Sequence, residues 1–185
     1  VGENHTLLLG KNGKVYSFGY NANGQLGTGN VSTYKAPVDI NLSGIVKVVA
    51  VGNTSYAIDG EGHAYAWGEG YTKQPSKLNI DANIVDIGRN YYLAEDGIVR
   101  KISNNQELLL SVNEYDPSGP AAIEEEKIVQ ISEENDYILM LGETGKVYSY
   151  GTNTYGQLGD VTLNPRQSNI TTAVKISSGN VLQNV

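Results

Sequence analysis

Apolar and polar positions alternate along this chain in short runs that stop at glycine. Residues 7–9 are a leucine run, Asn12-Gly13 is a two-residue turn signal, and residues 15–18 are β-branched and aromatic; together they predict a β-hairpin. The same turn position recurs as Glu61-Gly62, Asp96-Gly97 and Thr144-Gly145, where glycine supplies the positive φ that a tight turn demands. No segment sustains a helical apolar period beyond two turns. The longest candidate, residues 121–131, is led by Glu124-Glu125-Glu126 and reads as a loop running into a strand-like connector. The pattern predicts an all-β chain.

Repetition sharpens that expectation. Residues 13–27, GKVYSFGYNANGQLG, and residues 145–159, GKVYSYGTNTYGQLG, are identical at eleven of fifteen positions. A weaker copy, Gly62-His63-Ala64-Tyr65-Ala66-Trp67-Gly68, keeps the aromatic pair and the closing glycine, and Asp96-Gly97-Ile98-Val99-Arg100 keeps only the turn and the strand after it. Connectors of one flavour separate the copies: Ile45-Val46-Lys47-Val48-Val49, Ile84-Val85-Asp86-Ile87, Ile128-Val129-Gln130-Ile131 and Ala173-Val174-Lys175-Ile176. Four repeats result, at approximately residues 1–50, 51–87, 88–131 and 132–176, with residues 177–185 beginning a further one. All-β repeats of roughly 35 to 50 residues point to a β-propeller of about four blades, partial or open, in which each repeat supplies a small antiparallel sheet.

Composition then removes chemistry. With 13 Lys and Arg against 20 Asp and Glu, the net charge of −7 disfavours a phosphate-gripping surface, so no nucleic-acid partner is expected. The chain has no Cys and 2 His, which excludes disulfides, thiol catalysis and Cys-built zinc sites; no metal and no cofactor are expected. No apolar run is long enough for a membrane span. The chain does not start with Met, so it is expected to be a processed or excised piece.

The pattern His5-Thr6-Leu7-Leu8-Leu9, then Gly13-Lys14-Val15-Tyr16-Ser17-Phe18-Gly19, Asn21 and Gly24-Gln25-Leu26-Gly27, resembles the repeat of the regulator of chromosome condensation (RCC1) propellers. Residues 147–159 repeat it, with Asn153 and Gly156-Gln157-Leu158-Gly159. Repeat two runs Gly68-Glu69-Gly70-Tyr71 where the Gly-Gln-Leu-Gly box is due, and repeat three has Lys101-Ile102 in place of aromatic-Gly. The resemblance implies closure with about seven blades, so the chain is expected to be part of a larger propeller or to cover its ends by self-association. It further implies a scaffold for protein recognition. Relatives of this type include nucleotide-exchange factors for a small GTPase, chromatin binders, and bacterial secreted or surface proteins, one group of which inhibits β-lactamases. The Cys-free, Asn- and Tyr-rich chain fits the bacterial class, extracellular or at the cell surface.

The Gly-Gln-Leu-Gly box is followed by no helix and no P-loop lysine, so its glycines read as turns and Leu26 and Leu158 as inter-blade packing. Asn21 and Asn153 fit side-chain bonds to their own loops. Phe18, Trp67 and Tyr150 share one aligned position and read as blade packing. His5, aligned with Thr54 and Tyr137, reads as an inter-blade polar contact and His63 as exposed; neither has a catalytic companion at recognisable spacing, so no catalytic residue is expected and the chain is read as non-enzymatic. Recognition is expected in loops. Tyr20, Tyr71 and Tyr155 each lie within a few residues of a strand-end glycine and form a candidate partner-binding rim, joined by Tyr115 at the centre of the turn-rich stretch 110–126. The alternative reading of the same tyrosines is a carbohydrate or cell-wall platform.

Overall fold

The computed structural model describes residues 1–108, 126–134 and 136–159, together with the backbone of residues 172–173. Tyr115, nearly all of the stretch 110–126, and the expected further repeat at 177–185 lie outside the described residues.

Every regular element among the described residues is a strand. β1 (His5–Leu9), β2 (Val15–Gly19) and β3 (Tyr34–Asp39) form a sheet of that order, followed by β4 (Ile45–Val51), β5 (Thr54–Asp59), β6 (Ala64–Gly68) and β7 (Ser76–Lys77) in the second. β8 (Ile84–Ile87), β9 (Tyr91–Ala94) and β10 (Val99–Lys101) make the third, and β11 (Ile128–Glu134), β12 (Tyr137–Gly142), β13 (Val147–Gly151) and β14 (Thr172–Ala173) the fourth. These four antiparallel sheets are propeller blades. The chain divides into two compact units, Val1–Arg89 and Asn90–Val185.

Each blade is built on a hairpin whose tight turn closes from the glycine N–H to a carbonyl three residues back: Gly13 to Gly10, Gly62 to Asp59, Gly97 to Ala94 and Gly145 to Gly142. The connectors at Ile45, Ile84 and Ile128 are the first strands of the following blades. Their isoleucine N–H groups donate to the carbonyls of Gly13, Gly62 and Gly97 in the preceding turn, at 3.1, 2.8 and 2.9 Å. This stitch explains the repeated Ile: the side chain is buried while its backbone ties one repeat to the next. The fourth connector differs. Its first residue, Ala173, belongs to β14, which pairs with β13 as the last strand of its own blade.

The third blade departs in register. The hairpins of blades one, two and four carry five residue pairs each, from His5–Gly19, Thr54–Gly68 and Tyr137–Gly151 down to the turn. Blade three carries three, ending at Tyr91–Lys101. Lys101 thus occupies the hairpin end that glycine holds elsewhere, which accounts for the broken motif there.

Among the described residues, each unit has an apolar cluster of its own. Leu7, Val15, Ile40, Ile45, Ala57 and Trp67 cluster in the first, and Leu93, Val99, Ile131, Ile138, Met140, Tyr148 and Tyr150 in the second.

Candidate functional site: the strand-end loops and the seams beneath them

The loops that leave each hairpin share one anchor. After the strand-end residue, the next N–H donates to the carbonyl just before the hairpin: Tyr20 to Asn4, Glu69 to Asn53, Ile102 to Asn90 and Thr152 to Asp136, at 2.8–3.0 Å. At Gly19, Gly68 and Gly151 the backbone has φ of 110, 98 and 118°, and a Cβ would lie 2.6, 2.5 and 2.1 Å from the Asn4, Asn53 and Asp136 carbonyl oxygens. Glycine is required there by both conformation and space. Every loop therefore starts from a fixed point, a rigid base for whatever it presents.

The box residues are consumed in building this base. The buried Asn21 side chain accepts from the Leu26 N–H at 2.9 Å and donates to the Asn30 and Ser32 carbonyls, both at 3.0 Å. Asn153 repeats the first bond with Leu158 at 2.9 Å, and Ser17 and Ser149 donate to the Leu26 and Leu158 carbonyls at 2.7 Å. The N–H groups of Asn23, Gly24, Leu26 and Gly27 are all satisfied within the loop. A phosphate cradle needs those donors free, so the box is a folded turn.

Gln25 carries the box into the next blade. Its carbonyl accepts from Ser55 Oγ at 2.8 Å and from the Trp67 indole N–H at 2.9 Å, while its side-chain amide donates to Asn53 at 3.0 Å. Gly27 lies against the indole: a Cβ there would be 2.9 Å from Trp67 Nε1. His5 completes the chain, with Nε2 2.8 Å from Ser55 Oγ. The Ser55 hydroxyl gives its proton to Gln25, so His5 Nε2 is the donor in this contact and the neutral ring leaves Nδ1 as a bare acceptor. Nδ1 is buried with no hydrogen-bond partner, and burial pushes the His5 pKa down to about 4. A catalytic serine–histidine pair needs the opposite polarity, with the ring accepting the hydroxyl proton. This pair holds a seam.

The seam of the second unit is made otherwise. Tyr150, the counterpart of Trp67, meets Tyr91 edge-on at 6.1 Å, with the Lys101 ammonium 5.7 Å from its ring centre. The buried Glu133 carboxylate accepts from the Asn90 backbone N–H at 3.0 Å and from its side chain at 2.7 Å. Burial raises the Tyr91 hydroxyl well above its ordinary pKa, with the Tyr150 hydroxyl and the Glu133 and Asp136 carboxylates adding to it.

The candidate rim tyrosines fall in unlike places. Tyr20 directly follows its strand-end glycine and is 47% exposed; Tyr155 lies four residues after its glycine and is 90% exposed. Tyr71 is half-buried, its ring edge-on to the buried Tyr56 at 6.0 Å, and among the described residues no ring contact joins it to Tyr20. Its ring thus rests on strand β5. His63, expected exposed, is half-buried because Asp59 holds it: Nδ1 is 3.1 Å from the carboxylate, which also accepts from the His63 and Glu61 backbone N–H groups. Among the described residues no cluster of three or more His, Cys, Asp or Glu side chains is placed to hold a metal, and no helix is long and apolar enough to cross a membrane.

The inter-blade roles of Ser55 and Gln25 and the Asn90–Glu133 pair were not read from the sequence. Gln25 carried a signal, since Gln157 repeats it in an otherwise glycine-rich box. The others stand outside the repeated motif.

A family model for the Regulator of chromosome condensation (RCC1) repeat matches residues 12–58. The human protein described as probable E3 ubiquitin-protein ligase HERC6 is 30% identical over 161 residues, covering 85% of this chain and 13% of its own. Two solved structures share the fold. Human WBSCR16 superposes with a TM-score of 0.73 at 20% identity over 96% of this chain, and Prp20p of Saccharomyces cerevisiae with 0.69 at 16% over 96%. The chain spans 52% and 50% of those two chains.

Proposed function

We propose that this chain, which carries an RCC1-type repeat and folds as propeller blades, is a non-enzymatic scaffold that recognises a partner protein through its strand-end loops. One observation carries the reading. The recurring motif side chains are spent inside the blades and seams, while positions of the same loops that do not recur hold large aromatics in water at Tyr20 and Tyr155. Tyrosine brings stiff apolar area and a hydrogen-bonding tip, a composition suited to an interface. The described structure of yeast Prp20p concerns its binding to Gsp1p and histones, which supports protein recognition as a use of this fold.

The test is site-specific photo-crosslinking. A photoreactive residue in place of Tyr20 or Tyr155 is expected to trap a discrete protein partner, whereas one in place of Lys11, beside the hairpin turn, traps none. Equal trapping from all three positions, or from Lys11 alone, would refute the assignment to these loops.

A further inference from the structure

The chain holds two Asn-Gly pairs, at residues 12–13 and 23–24. In such a pair the glycine nitrogen is unshielded by a side chain of its own and can attack the asparagine side-chain carbonyl. Both asparagines are exposed. Both glycine N–H groups donate within their turns, Gly13 to the Gly10 carbonyl at 2.9 Å and Gly24 to the Asn21 carbonyl at 3.0 Å. Attack therefore waits for local opening, and the two surroundings make opening unequal.

Gly24 is buried, and a Cβ there would lie 2.6, 2.8 and 2.9 Å from Cγ, Cβ and Cα of Lys73, so the peptide before it has no room to turn. The Asn23 N–H is held by Gln25 Oε1 at 2.9 Å, and Gln25 is itself locked into the seam with blade two. Asn12 stands instead at the tip of the first hairpin. Its side-chain carbonyl accepts from the Lys14 N–H at 3.2 Å, which folds it back over the Gly13 peptide and draws electrons from its carbon. Freeing the Gly13 N–H breaks one turn bond and leaves the pairs from Leu9–Val15 onward in place.

We propose that Asn12 is a deamidation site. The Gly13 nitrogen gives its proton to solvent base and bonds to the Asn12 side-chain carbonyl carbon, whose bond to Nδ2 breaks as that nitrogen takes up a proton and leaves as ammonia. Water then opens the cyclic imide. Opening at the side-chain carbonyl leaves an ordinary aspartate. Opening at the backbone carbonyl leaves isoaspartate, in which the chain runs through the side chain and is one methylene longer. The turn can bear the first product, because Asp96 already fills this place in blade three and accepts from the Ile98 N–H at 2.9 Å, the bond that Asn12 makes to Lys14. The longer chain of the second disturbs the Gly13 carbonyl, which receives the Ile45 N–H at 3.1 Å and so ties repeat one to repeat two. Either product adds a negative charge between Lys11 and Lys14, and isoaspartate also loosens the stitch. The site is at the turn end of the hairpin and does not rest on the role of the strand-end loops.

The test ages the 185-residue chain in mildly alkaline buffer, with and without urea, and follows both pairs by peptide mapping with mass spectrometry. In the folded chain Asn12 is expected to convert at least about tenfold faster than Asn23. In urea the two rates should come within about twofold, because the fold no longer separates them. Amide exchange of the aged chain should show a second Ile45 population about tenfold faster than the first, whereas the Asn12→Asp variant should keep Ile45 exchange within about twofold of the original. The proposal fails if Asn23 converts as fast as Asn12 in the folded chain, or if neither converts there while both do in urea. It also fails if the preference persists in urea, or if isoaspartate leaves Ile45 exchange unchanged.

Discussion

The seam between the first two blades and the seam of the second unit solve one packing problem by different chemistry. The first runs through a buried polar chain, His5 to Ser55 to the Gln25 carbonyl to Trp67, organised by the Gly-Gln-Leu-Gly box. The second has no such box in its leading blade and relies on an apolar cluster, a Tyr91–Tyr150 edge contact and the Glu133 carboxylate on Asn90. The box is therefore one way to tie a blade to its neighbour rather than a condition for blade packing. Gln25 is buried and reaches Asn53 of the next blade, while Gln157 is half-buried and donates to Thr152 in its own loop at 3.2 Å.

The comparison breaks most visibly at the two aromatic anchors. Trp67→Ala removes a fully buried indole and its hydrogen bond, and should cost the first unit about 3–5 kcal/mol in denaturant unfolding; Tyr150→Ala should cost the second unit slightly less and leave amide exchange in the first unaltered. Ser55→Ala tests the polar chain itself. It strips the His5 ring of its partner and the Gln25 carbonyl of one donor, so a loss of about 1–3 kcal/mol is expected, confined to exchange in residues 1–89. A loss spread evenly over both units would show that the seam is not a local device.

Acid should act on the same seam. His5 is neutral in the fold with its pKa pushed down to about 4, below the ordinary value of about 6.5 that it regains on unfolding. Its contribution to stability is fully present above pH 6.5 and is lost as pH falls toward 4, because the unfolded chain binds the proton first. The unfolding midpoint of the first unit should fall across that window, and His5→Gln should flatten the fall. A pH profile unaffected by the substitution would remove His5 from the account. The smallest expected effect separates the two boxes: Gln25→Ala should cost about 1 kcal/mol more than Gln157→Ala.

How much of this was legible beforehand follows from what repetition can and cannot encode. The hairpins and the propeller fold were readable because turn glycines and period-two strands are local and recur four times. The roles of Asn21 and Asn153 were readable for the same reason, since an Asn side chain bonds its own loop. The shortened third hairpin was misread at Lys101, because losing residues from both arms preserves the turn while moving the strand end. Ser55, Asn90 and Glu133 were silent because their partners are 30 to 50 positions away, a separation no local pattern reports. Of the rim tyrosines, Tyr20, Tyr71 and Tyr155 all lie within a few residues of a strand-end glycine, but that spacing does not report which ring meets another, as that of Tyr71 meets Tyr56.

The central claim is that motif residues hold the seams and loop aromatics meet the partner. Its most direct test measures Tyr20→Ala and Gln25→Ala side by side, for unfolding midpoint and for affinity toward the protein trapped by crosslinking. Tyr20→Ala should weaken binding at least about tenfold with the midpoint unchanged, and Gln25→Ala should lower the midpoint with binding unchanged. The crossed result, in which Gln25→Ala abolishes binding at full stability while Tyr20→Ala only destabilises, would contradict it.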